Sequence, residues 1–149
     1  MIQEQYVDFE TAKLLKEKRF DRFCHRYYEH DIANDPDDTD GLCFMFASDF
    51  EQNEYYVTNE TFTEYNKEHM LNELIAAPTQ QMAMRWLREE HNLFICIGND
   101  DLNYNWQVFD VKNRTKDLDP TCLTESYAGY GSYEKTVEAA IKYCLENLV

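Results

Sequence analysis

The sequence predicts an α+β fold, a mostly antiparallel sheet flanked by about three helices. Three observations carry that expectation. Residues 78–92 and 132–149 repeat apolar side chains at helical spacing. Two apolar segments, "LFICI" at 93–97 and "NWQVFDVK" at 105–112, flank a Gly-Asn turn as the arms of a hairpin do. Helices and strands also mix along the chain instead of alternating strictly, which disfavours a parallel βαβ sheet. A chain of 149 residues suits one compact domain, 1–149, and with Gly at 4 and Pro at 3 no linker is visible within it.

Each element has its own local warrant. "FETAKLLKEK" at 9–18 reads as a helix, because Asp8 is placed to cap it and Phe9, Ala12 and Leu15 form a stripe. "RFCHRYY" at 22–28 is aromatic-rich and suggests a short strand. "LCFMF" at 42–46 is a continuous apolar run, expected as a strand buried on both faces. "NEYYVTNETFTEY" at 53–65, rich in Tyr, Thr and Val, is read as a hairpin broken at Thr58-Asn59. Residues 66–77 fit either a helix or an extended connection. "PTQQMAMRWLREEHN" opens with Pro78 in a first-turn position, and Asn92 is placed to end the helix. Ser132 caps the last helix, whose stripe is Tyr133, Val137, Ala140, Ile141, Cys144, Leu145 and Leu148.

Charge narrows the function classes. Asp plus Glu number 29 against 14 Lys plus Arg, a net charge of −15, which repels phosphate backbones and anionic lipid heads. Neither direct nucleic-acid binding nor membrane association is expected, and a basic protein surface is the favoured partner. The first 15 residues lack a basic start followed by an apolar run, and no stretch approaches the ~20 apolar residues of a spanning helix. The five cysteines (Cys24, Cys43, Cys96, Cys122, Cys144) include no CxxC pair and are read as reduced thiols. The expected location is the cytoplasm.

The blocks "APTQQMAMRWLRE" (77–89), "HNLFICI" (91–97) and "SYEKTVEAAIKYCLENLV" (132–149), with "VDFETAKLLKEK" near the start, resemble small proteins that recur in gut Bacteroidales, their phages and other mobile elements. The resemblance covers about a third of the chain, and residues 29–70 depart most. It implies a phage or mobile-element origin, and hence residence in a host cell's cytoplasm. The family has no assigned activity, so no catalytic residue carries over.

The candidate chemistry is sparse. In "NDPDDTDG", 34–41, an EF-hand loop begun at Asp35 finds Asp37 at position 3 but Thr39 at 5, Asp40 at 6 and Phe46 at 12. The calcium pattern fails. Asp35, Asp37, Asp38 and Asp40 remain as a solvated connector or a docking surface for a basic partner, and no metal or cofactor is expected. Cys24, His25 and His30 lie close in sequence but lack the paired ligand spacings of a zinc site. Arg85 and Arg88, three apart on one helix face, are candidates to bind an anionic or nucleotide-like ligand beside Trp86, although Trp86 should point about 100° from Arg85, toward the core. "YAGYGSY" at 127–133 has glycines before a helix start but neither the spacing nor the lysine of a phosphate loop. GxSxG, HExxH and GxGxxG are all missing.

The reading is a small acidic non-catalytic accessory protein that docks on a host or phage protein with a basic surface, for example as an anti-defence inhibitor or nucleic-acid mimic. One alternative is a protein that sequesters a small anion through Arg85, Arg88, Lys112 and Arg114. The other is an enzyme of unrecognised chemistry.

Overall fold

The computed structural model describes residues 3–32, 42–52, 54–112, 121–126 and 129–149. The class is α+β: among the described residues there are five helices and two three-stranded antiparallel sheets. Contacts divide the chain into two compact units, residues 6–79 and residues 1–5 with 80–149.

In the unit 6–79, helix α1 (Phe9–Glu17) starts where Asp8 Oδ1 accepts from the Thr11 N–H at 2.8 Å. It ends in a Schellman turn: the Phe20 N–H reaches the Leu15 carbonyl, the Arg19 N–H reaches Lys16, and Arg19 takes φ 65°. Strands β1 (Arg26–Asp31), β2 (Cys43–Phe46) and β3 (Asn72–Ala77) form a sheet in the order β2-β1-β3. Phe9 of α1 meets Tyr28 and His30 on one face, and Phe62 of helix α3 (Asn59–Glu68) meets Tyr27 on the other. Leu74, Ile75, Ala76 and Ala77 are consequently all buried.

Helix α3 also closes the outer edge of β3. The Asn66 amide accepts from the Leu74 N–H at 2.8 Å and donates to the Leu74 carbonyl at 2.9 Å, and Asn59 Oδ1 accepts from the Ala76 N–H at 3.0 Å. An edge that would otherwise invite another strand is occupied by side chains.

Two local expectations change here. The segment 53–65 is not a hairpin: its second half is the start of α3, with Thr58 Oγ1 accepting from the Thr61 N–H and Phe62 fully buried against Tyr27 and Phe50. A cap and one deep anchor override strand propensity. Nor is β2 buried on both faces. It is an edge strand with Cys43 and Phe46 exposed, followed at once by the one-turn helix α2 (Ala47–Phe50).

In the other unit, helix α4 (Gln80–His91) buries Ala83, Trp86 and Leu87, and Asn92 at φ 58° turns the chain into β4 (Leu93–Asn99). β4 pairs with β5 (Tyr104–Asp110) from Leu93↔Asp110 to Asn99↔Tyr104, and β5 pairs with β6 (Thr121–Glu125). This is the expected hairpin, but Gly98 and Asn99 are paired within β4 and the turn itself is made by residues 100–103, where the Asp100 N–H donates to the Asn103 carbonyl.

Helix α5 (Tyr133–Asn147) is capped by Ser132 Oγ, which accepts from the Lys135 N–H, and it buries Val137, Ala140, Ile141, Cys144 and Leu145. The buried Gln80 amide donates to the Glu134 carbonyl and to Glu138 Oε2, tying α4 to α5. Just upstream of the cap, a Cβ on Gly129 would lie 2.5 Å from Asn103 Cβ, so close backbone approach requires glycine there. No helix among the described residues is long and apolar enough to cross a membrane.

Candidate functional site

The most exposed aromatic cluster is built by three segments of the unit 6–79. Cys24 and Val57 exchange both backbone hydrogen bonds at 2.8 Å and bury their own side chains. Side chains alternate across paired extended segments, so burying Cys24 and Val57 turns their neighbours outward. Phe23 (69% exposed) and Tyr56 (50%) result, and Tyr55 (76%) is exposed at the bend just before Tyr56. The Phe23 and Tyr56 rings meet. Tyr56 lies 6.0 Å from Phe23 and 4.6 Å from His25, and His25 Nδ1 donates to the Tyr55 carbonyl at 3.2 Å.

The Ala47 N–H donates to the His25 carbonyl, bringing the end of β2 and its exposed Phe46 alongside. Phe46 lies on Arg26, whose guanidinium carbon is 4.0 Å from that ring centroid and 3.8 Å from that of Phe44, a cation–π sandwich. The charges in these segments are mostly negative: Asp21, Asp49, Glu51 and Glu54 are exposed, against Arg22. Exposed aromatic rings on segments rich in exposed carboxylates are the composition of a surface that docks on a basic protein.

The second feature is a groove of about 420 Å³ in the other unit, lined by Arg85, Arg88, Met84, Phe94, Ile97 and Tyr133 among others. Gln81, Met84, Arg85 and Arg88 stand at i, i+3, i+4 and i+7 on α4, so the two guanidinium groups do share a face. Trp86 is not the aromatic beside them. It is 5% exposed, edge-on to His91, and Phe94 and Tyr133 line the groove instead.

The remaining sequence candidates separate. Asp35, Asp37, Asp38 and Asp40 lie outside the described residues, as does Arg114; Lys112 is exposed after β5. Cys24 and His30 are buried while His25 is exposed, and the three make no common site. Burial, with Asp21 adding to it, pushes the Cys24 thiol up to about 12, and burial alone does the same for Cys144. Both are neutral packing groups at physiological pH, which leaves Cys43, Cys96 and Cys122 as the exposed thiols. Among the described residues no group of three His, Cys, Asp or Glu is gathered as for a metal ion.

Sequence reasoning missed the aromatic cluster, whose pieces lie about thirty residues apart and are brought together by the Cys24–Val57 bridge. Comparison with protein-family models, with curated proteins and with solved structures gives no match to this chain.

Proposed function

We propose that this chain is a non-catalytic docking protein that seats Phe23, Tyr55 and Tyr56 on a basic surface of a partner protein. One observation carries the reading: the half-exposed Tyr56 ring meets the exposed Phe23 ring and His25, the exposed Tyr55 adjoins it in the chain, and the same segments carry four exposed carboxylates. Leaving such rings in water forgoes about 1.5–3 kcal/mol of burial each, and a partner recovers it. The rings supply affinity, while Asp21, Asp49, Glu51 and Glu54 select the sign of the partner and speed encounter. A net charge of −15 acts in the same direction over longer range. The resemblance to proteins of Bacteroidales phages and mobile elements fits an accessory factor acting on a host protein in the cytoplasm. A DNA-binding site presenting Lys and Arg is one such basic surface.

The test compares three forms of the chain as bait in lysate of a host strain: wild type, F23S/Y55S/Y56S, and D49N/E51Q/E54Q. The expected result is one stoichiometric basic protein on wild type, lost with the aromatic variant at any salt. The carboxylate variant should retain it weakly and with a shallower salt dependence. Equal capture by all three forms, or capture only of acidic proteins, contradicts the reading.

A further inference from the structure

We infer that the groove beside α4 and β4 is a binding site for a small amphipathic anion, a ring-sized apolar body carrying one phosphate or carboxylate. Charge makes the first part of the case. In a chain of net charge −15, the residues lining this groove include two arginines and no carboxylate. Arg88 has no ion-pair or hydrogen-bond partner among the described residues. Arg85 donates from Nε to Glu89 Oε1 at 2.7 Å on the exposed helix surface, which leaves its two terminal nitrogens to donate. Two guanidinium groups one helical turn apart match the oxygens of a phosphate or carboxylate.

Shape makes the second part. Met84, Ile95 and Ile97 give the groove apolar lining, Phe94, 40% exposed, borders it from the strand β4, and Tyr133 adds a ring and a hydroxyl at the first turn of α5. Its volume, about 420 Å³, lies within the roughly 300–1,000 Å³ typical of small-molecule sites. A bare inorganic ion would use the arginines and leave the apolar lining wet; an anion with an apolar body uses both. This inference is independent of the docking surface, since it concerns only residues of the unit 1–5 with 80–149.

The test is a ¹H–¹⁵N NMR titration of the full chain at low salt with phenyl phosphate, adenosine monophosphate and inorganic phosphate. The organic phosphates should give saturable shifts centred on residues 81–97 and 133 and on the arginine Nε–H signals, with inorganic phosphate clearly weaker. R88A should weaken binding about tenfold through loss of a charge-assisted bond. K67A, which removes the same charge from an exposed site on α3, should change it less than about twofold. Three results each overturn the inference: no saturable shift from either organic phosphate, equal weakening by K67A and R88A, or inorganic phosphate binding as tightly as phenyl phosphate.

Discussion

The two sheets are covered differently. In the unit 6–79, α1 and α3 cover opposite faces of the sheet, and the Asn59 and Asn66 amides occupy the outer edge of β3. Three of its exposed rings, at positions 23, 55 and 56, sit outside the regular strands, and a fourth, Phe46, ends the edge strand β2. In the other unit, α4 and α5 bury Leu93, Trp106 and Val108, while the alternate positions Phe94, Cys96 and Cys122 stay exposed on the strands themselves. Exposure in the first case is, apart from the edge strand β2, an appendage to a finished core. In the second it belongs to the sheet. The lesson is that the aromatic cluster can be cut away without unfolding its unit, which makes it a clean target for functional dissection.

The largest expected contrast is among the thiols. At pH 8 iodoacetamide should modify Cys43, Cys96 and Cys122 and spare Cys24 and Cys144, read by mass spectrometry of the intact chain. A thiol raised from 9.0 to about 12 carries about a thousandfold less thiolate. The linkage has a definite sign. With the folded value above the unfolded one, the native state binds more protons between about pH 9 and 12. Stability from Cys24 and Cys144 is therefore full below pH 9 and lost as pH rises through that window. Equal labelling of all five thiols in the native chain would break the comparison at its base.

Phe62→Ala removes the ring between Tyr27 and Phe50 and should cost about 3–5 kcal/mol in urea denaturation. Asn66→Ala orphans both backbone groups of Leu74 at the β3 edge and should cost about 1–3 kcal/mol. Its counterpart is Gln107→Ala on β5, whose amide makes only an exposed contact with Glu125; the cost there should stay within about 0.5 kcal/mol. Similar losses from the two substitutions would mean that the β3 edge is no better closed than the open sheet. One substitution should give a gain: Arg19→Gly relieves a non-glycine residue at φ 65° and should stabilise by about 0.5–1 kcal/mol.

What could be read in the sequence had local causes. Asp8, Asn92 and Ser132 mark helix ends through their own side chains or backbone, and Gly98-Asn99 marks the β4–β5 turn within a few residues. What escaped depends on tertiary partners. The Thr- and Tyr-rich stretch around 58–65 reads as strand until Phe62 has a pocket to fill. "LCFMF" reads as buried until the sheet order leaves it at an edge. Arg85 and Arg88 were legible as a pair because helical spacing alone puts them on one face. Their aromatic neighbours were not, because Phe94 and Tyr133 arrive from other elements.

The central claim is tested most directly by position-specific photo-cross-linking in the host cell. A benzophenone side chain is placed at Tyr56, in the aromatic cluster, and separately at Leu102, which is 89% exposed in the β4–β5 turn. A single adduct to one basic protein from position 56, and none from position 102, is the result this account predicts. Identical adducts from both positions, or an adduct from 102 alone, would contradict it.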